Sequence, residues 1–115
     1  MQNPLQITFK GVDQSEALRQ AIEKKMAWLE SYYGRIIGCQ VTVERLSHRH
    51  QQGNPFNLII HLAVPGEEIV VDHASSDHRV QEDAYATVHD AFDKTRRRLE
   101  DFARRQRGQV KHHVS

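Results

Sequence analysis

The fold is decided by residues 56–74, whose sequence is FNLIIHLAVPGEEIVVDHA. Apolar side chains occupy every second position in 56–64, and after Pro65-Gly66 they recur at Ile69 and Val71. Alternation with a period of two predicts strands buried on one face, and Pro-Gly is typical of a tight turn. This stretch therefore predicts two antiparallel strands joined in a hairpin, the second ending near Ala74.

Two further strands are predicted upstream, at residues 5–9 and 37–43, because apolar and polar side chains alternate in both segments. The apolar positions are Leu5, Ile7, Phe9, Ile37, Cys39, Val41 and Val43.

A first helix is predicted between these two strands. It runs from Ser15 to about Tyr33, with Asp13 or Ser15 as its N-cap and Gly34 as its stop. Apolar residues recur there every three or four positions, as in an amphipathic helix. They are Leu18, Ile22, Met26, Leu29 and Tyr33.

A second helix is predicted from about residue 79 to residue 106, capped within residues 75–77 and ended by Gly108. Its apolar stripe is Val80, Ala84, Val88, Ala91, Thr95, Leu99 and Phe102. The residues after the helix predict a frayed end.

The resulting order, β-α-β-β-β-α, predicts an α+β fold. Strands one and two would be parallel if adjacent, which gives a four-stranded mixed sheet with two helices packed on one face. A length of 115 residues suits one domain. We assign residues 1–107 to this domain and residues 108–115 to a flexible C-terminal tail.

Charge is concentrated at the C-terminal end. Residues 94–111 hold eight Lys and Arg against two acids, a net charge of +6, although the whole chain carries only +1. Residues 61–93 hold one Arg against eight acids. Such asymmetry indicates a localised anion-binding surface, or alternatively cations placed to favour a helix C-terminus.

Five of these cations fall on one flank of the second helix, within about 120° of arc. We call them the basic strip: Lys94, Arg97, Arg98, Arg104 and Arg105. Such a strip could follow an RNA phosphate backbone. The alternative is surface ion pairing at i,i+4, which would account for Asp90–Lys94, Asp93–Arg97 and Arg97–Asp101. These three pairs do not include Arg98, Arg104 or Arg105, which we expect to lack partners.

Two smaller basic elements are also candidates for RNA binding. Lys24 and Lys25 lie beside Trp28, whose indole could stack on a base if exposed, although we favour its packing against the sheet. Arg45 and Arg49, near two histidines of the polar segment 47–55, could form a cationic finger or an ordinary loop.

Catalytic and metal-binding patterns are missing from the sequence. The eight histidines do not show metal-ligand spacing, and Cys39 falls in the buried register of its strand. There is no G-x-S-x-G and no Gly-rich phosphate loop. We therefore expect no enzyme activity, no cofactor, no metal and no small-molecule substrate. The N-terminus resembles no signal peptide and no apolar run spans a bilayer, so we expect a cytoplasmic protein without a membrane partner.

Three segments resemble the bacterial family of ribosome hibernation-promoting factors and ribosome-associated translation inhibitors, also called sigma-54 modulation proteins. They are ALRQAIEKKMAWLE (17–30), VPGEEIVV (64–71) and EDAYATVHDAFDKTRRRLEDF (82–102). The resemblance extends from residue 5 to about residue 105. It implies the same β-α-β-β-β-α fold, which is similar to double-stranded-RNA-binding domains.

The resemblance also implies a function. Family members bind ribosomal RNA of the small subunit in the messenger and transfer RNA channel, and they repress translation in stationary phase or stress. By matched position the contacts would include Lys25, Lys94 and Arg97, and Trp28 and Asp101 stand where the family commonly has basic residues. Without the family's additional C-terminal domain the chain would be a short form, expected to be a monomer when free. A basic module that recognises an acidic protein without RNA is the alternative function.

Overall fold

A computed structural model describes residues 4–45, 56–74 and 84–114, with side chains left out for residues 84 and 109–114. The elements follow the predicted order. They are β1 (Gln6–Lys10), α1 (Glu16–Tyr32), β2 (Gly38–Arg45), β3 (Phe56–Val64), β4 (Glu67–Ala74) and α2 (Ala84–Val114).

The four strands form one sheet in the order β1-β2-β3-β4. β1 pairs parallel to β2, whereas β2–β3 and β3–β4 are antiparallel, so the predicted mixed sheet is confirmed. Gly66 adopts a φ of 88° in the β3–β4 turn, a conformation that glycine reaches without steric cost. Upstream of β2, Ile36 is buried and Ile37 only half-buried, so the inward register begins later than predicted.

α1 begins as predicted with Ser15, not Asp13, as its N-cap. The Ser15 hydroxyl oxygen accepts a hydrogen bond of 3.1 Å from the Leu18 backbone N–H. The helix ends at Tyr32, and Tyr33 closes it with a backbone hydrogen bond to the Leu29 carbonyl. The four buried residues of α1 are the predicted ones, Leu18, Ile22, Met26 and Leu29.

α2 buries the predicted stripe from Val88 to Phe102, and it also buries Phe92, which the stripe did not include. The buried Thr95 hydroxyl donates to the Ala91 carbonyl at 2.9 Å, which satisfies its hydrogen-bonding need inside the helix. The predicted start near residue 79, the cap within residues 75–77 and Val80 lie outside the described residues.

The predicted helix stop at Gly108 is wrong, because α2 continues to Val114. A glycine ends a helix by adopting a positive φ, and among the described residues only Gly11 and Gly66 do so. Gly108 therefore stays helical, at a cost of about 1 kcal/mol relative to alanine. The flexibility of residues 108–115 stays a prediction.

Both helices pack on one face of the sheet. Buried side chains of α1, α2 and the inward positions of β2, β3 and β4 form one hydrophobic cluster. Phe92 and Phe102 are the largest fully buried residues, so α2 is anchored at two points ten residues apart. This anchoring fixes the rotation of α2 and therefore the direction of its polar side chains.

Candidate nucleic-acid interface

The basic strip faces β4, the edge strand beside α2. Arg98 donates a hydrogen bond of 3.1 Å from Nη1 to the Val70 backbone carbonyl. Arg105 places Nη2 3.4 Å from Glu67 Oε2 at the start of the same strand. α2 therefore runs antiparallel to β4. The guanidinium of Arg98 occupies the Val70 carbonyl of this edge strand, which limits the pairing of β4 with another strand there.

An open concavity of about 330 Å³ lies between α2 and β4. Its lining residues are Val71, Asp72, Lys94, Arg97, Arg98 and Asp101. Lys94 has no ion-pair partner within residues 4–45, 56–74 and 84–108, so its ammonium is the strip's cation most available to a ligand. Three of the five strip residues thus share one concave surface.

Single carboxylates pair with the other arginines of the strip. Arg97 lies 3.1 Å from Asp93, and Arg104 lies 3.7 Å from Asp101. Of the three predicted i,i+4 pairs, only Asp93–Arg97 forms among the described side chains. The expectation that Arg98, Arg104 and Arg105 lack partners is wrong, because i,i+3 spacing and contacts from β4 supply them.

These partners leave the strip accessible. The side chains of Arg97, Arg104 and Arg105 remain 61%, 65% and 61% exposed. Ion pairs at such exposure contribute about 0–1 kcal/mol each, so an incoming phosphate can replace or share them at little cost. The strip is therefore a solvated row of cations with a rigid backbone beneath it.

Arg96, next to the strip in sequence, is held differently. Its guanidinium lies 3.5 Å from Asp93 and 3.3 Å from Glu100, and 6.0 Å from the ring centroid of Tyr32. Its side chain is only 27% exposed. The Tyr32 hydroxyl donates to Glu100 at 2.7 Å, and this hydrogen bond lowers the pKa of Glu100 and raises the pKa of Tyr32. Arg96 therefore joins α2 to α1.

Of the two candidate lysines of α1, Lys25 lies between the helices and Lys24 is exposed. Lys25 Nζ donates to His89 Nδ1 of α2 at 2.8 Å and lies 5.1 Å from the ring centroid of Trp28. Lys24 is exposed one turn before Trp28. The interpretation that Trp28 packs against the sheet is wrong, because its side chain is 40% exposed and lies outside the core cluster. The lysine over the indole is Lys25 at i,i+3.

Arg45 lies apart from the C-terminal end of the strip. It is exposed at the end of β2 and pairs in register with Phe56, whereas Arg105 contacts Glu67 at the opposite end of the sheet. From Phe56 to Val64 the strand β3 advances eight residues between these ends, about 26 Å at 3.3 Å per residue. Arg49 and the predicted finger of segment 47–55 lie outside the described residues.

Groups that could suggest other chemistry have structural explanations. Cys39 is 3% exposed, which confirms it as a core thiol, and this burial raises the pKa of the thiol to about 12. Within the described residues no group of three or more His, Cys, Asp or Glu side chains could hold a metal ion. None of the helices in this part of the chain is long and apolar enough to cross a membrane.

Sequence reasoning missed the contacts that arise between elements. The Val70 carbonyl beneath Arg98, the Glu67 carboxylate beside Arg105 and the His89 acceptor of Lys25 are 28, 38 and 64 residues away in sequence. No local spacing reports such pairs. The excess of acids over residues 61–93 was the one available signal, because β4 supplies Glu67.

Comparisons with known proteins agree with the fold. A ribosomal subunit interface protein from Coxiella burnetii superposes with a TM-score of 0.69 at 23% identity, covering 88% of this chain and 98% of its own. The N-terminal domain of Thermus thermophilus Protein Y gives a TM-score of 0.64 at 21% identity, covering 84% and 94%. Comparison with curated proteins gives no match.

A family profile decides the relationship. The profile described as Sigma 54 modulation protein / S30EA ribosomal protein matches residues 5–107, which is nearly the whole chain. The β-α-β-β-β-α order and the four-stranded mixed sheet agree with this match. The chain belongs to the Sigma 54 modulation protein / S30EA ribosomal protein family.

Proposed function

We propose that the chain binds ribosomal RNA of the small ribosomal subunit in the messenger and transfer RNA channel and thereby represses translation. Family membership supports an association with the ribosome. The single observation that carries the RNA contact is the basic strip. The side chains of its arginines Arg97, Arg104 and Arg105 are 61–65% exposed, and its helix is anchored by buried aromatic rings.

The mechanism is occupancy. Guanidinium and ammonium groups of the strip contact phosphates, with arginines able to bind two oxygens at once and Lys94 acting as a point charge. No covalent bond is made or broken, so the chain acts in proportion to its amount and needs no cofactor. A site filled by this domain is closed to transfer RNA.

The acids beside the strip tune its affinity. Asp93, Asp101 and Glu67 each compete with phosphate for one arginine. Because each exposed pair contributes at most about 1 kcal/mol, the strip is weakened by these acids without being neutralised. Lys24, Lys25, Arg45 and Arg49 would add contacts outside the strip, Arg45 at the opposite end of the sheet from Arg105.

The physiological setting follows from this mechanism. A blocker of the small subunit would act in the cytoplasm when the cell keeps idle ribosomes, as in stationary phase or stress. This state is called ribosome hibernation. The ribosome-binding unit would be residues 1–107, acting as a monomer when free.

Charge reversal on the strip tests the proposal. Arg97→Glu/Arg98→Glu should abolish co-sedimentation with isolated small subunits in sucrose gradients. Lys10→Glu/Arg35→Glu is the matched control, since it changes charge by the same amount at two exposed positions outside α2. Equal co-sedimentation of both variants with the unchanged chain would refute the surface.

The alternative of an acidic protein partner gives a different result. A partner captured from lysate by the strip should then survive nuclease treatment and should be lost in Arg97→Glu/Arg98→Glu. Capture that disappears with nuclease supports RNA.

A further inference from the structure

Two aromatic side chains stand exposed on α1 although the core beneath them is complete. Trp28 is 40% exposed and Tyr32, one turn later, is 46% exposed. Their i,i+4 spacing places both rings on one face of the helix. Neither belongs to the hydrophobic cluster nor to the residues packed against it. The stability of the domain therefore does not explain why an indole occupies position 28.

Two lysines lie on the same side of α1 as the indole. The Lys25 ammonium lies 5.1 Å from the Trp28 ring centroid, within range of a cation–π interaction. Lys24 is exposed at i−4, on the same side of the helix. On a helical wheel both lysines fall within about 60° of Trp28, whereas Glu23 and Glu30 lie at least about 140° away. The local environment of the ring is thus cationic.

An aromatic face with cations beside it is the composition that binds unpaired nucleobases. The ring stacks on the base while the cations contact the adjacent phosphates. An apolar protein partner would instead need a groove, whereas the side chain placed against the Trp28 ring is the charged Lys25. The hydrogen bond from Lys25 to His89 also ties this face to α2, the helix that carries the basic strip.

We propose that Trp28 is a stacking platform for an unpaired nucleobase, with Lys24 and Lys25 contacting the flanking phosphates. The proposal rests on the proposed function, because the base would belong to the ribosomal RNA that the strip contacts.

Trp28 is the single tryptophan of the chain, so its fluorescence reports this site alone. The full chain is titrated with a single-stranded RNA of about eight nucleotides and with an abasic ribose-phosphate chain of equal length. Quenching by the RNA and not by the abasic chain is expected. Equal responses to both, or no response to either, would overturn the proposal.

Variants extend the test to the ribosome. Trp28→Ala should weaken binding to the RNA and to small subunits by about five- to a hundredfold, whereas Trp28→Phe should stay within about threefold. Circular dichroism of both variants should match that of the unchanged chain, since position 28 lies outside the core.

Failure of this proposal is distinguishable from failure of the proposed function. If the unchanged chain co-sediments with small subunits but Trp28→Ala does so equally well, only the platform is wrong. If the unchanged chain does not co-sediment at all, the proposed function fails, and quenching by the RNA alone decides the platform. A blue shift of emission on capture of a protein, without quenching by RNA, would replace the nucleobase by a protein occupant.

Discussion

The two flanks of α2 carry the same kind of side chain and use it differently. On the flank toward α1, Arg96 meets two carboxylates and an aromatic ring and is 27% exposed. On the other side, Arg97 meets one carboxylate and is 61% exposed. The two arginines differ because successive residues of a helix are rotated by about 100°, so that they face different elements. An arginine in a basic run is therefore structural or available according to which element faces it.

The largest effect on stability should come from loosening α2, the helix that carries both flanks. Phe92 is fully buried, so Phe92→Ala should lower the free energy of unfolding by about 3–5 kcal/mol, through lost burial and a cavity. Urea denaturation measures this loss. Arg107→Ala, at an exposed position of α2, should change stability by less than about 0.5 kcal/mol. Equal losses in both variants would show that α2 is not anchored as described.

Neutralising adjacent arginines should separate stability from binding. Arg96→Gln should lower the free energy of unfolding more than Arg97→Gln does, because it removes two ion pairs and the contact with Tyr32. Arg97→Gln should cost less than about 0.5 kcal/mol, because its single pair is exposed. Thermal unfolding compares the two, and a larger loss for Arg97→Gln would reverse the assignment of the flanks.

Removing an acid that competes with phosphate should strengthen RNA binding by the basic strip. Glu67→Gln frees Arg105 from its carboxylate while leaving the packing of β4 intact. We expect binding to small subunits to tighten by about 0.5 kcal/mol, roughly twofold, with stability nearly unchanged. Glu68→Gln is the control, since Glu68 contacts His61 and no strip residue. Weaker binding of Glu67→Gln would mean that this acid orients Arg105 productively.

The smallest effect should be a pH dependence at β4. Burial, and secondarily the Lys94 charge, lower the pKa of His73, although Asp90 and Asp72 oppose this. Its Nδ1 is buried without a hydrogen-bond partner among the described residues. His73 therefore binds a proton more readily in the unfolded chain than in the folded one. The free energy of unfolding should fall as the pH drops through about 6.5. His73→Gln should flatten that slope in thermal unfolding between pH 5 and 8, and an unchanged slope would exclude His73 as its source.

Periodicity predicted the fold because burial repeats along each element. The alternation in β2 to β4 and the stripes of α1 and α2 are the same residues that form the core. Gly108 misled the prediction of a helix end, because a glycine stops a helix only when its backbone turns to positive φ. That choice depends on the surrounding chain and not on the residue alone.

The candidate site was predicted in part. Helical geometry grouped the strip and left Arg96 out of it, since rotation along a helix is fixed locally. Helical geometry could not predict partners from other elements, because the Val70 carbonyl and Glu67 come close to the strip only when β4 packs beside α2. The exposure of Trp28 was misjudged for the same reason, since the position of the sheet edge decides which side of a stripe is covered.

The salt dependence of binding tests the central claim most directly. Affinity for isolated small subunits is measured against salt concentration for the unchanged chain, Arg96→Gln and Arg97→Gln. The account predicts that Arg97→Gln lowers the log–log slope by about 0.7–0.9, the contribution of one phosphate, and that Arg96→Gln leaves it unchanged. An equal fall in both variants, or a slope near zero for the unchanged chain, would contradict it.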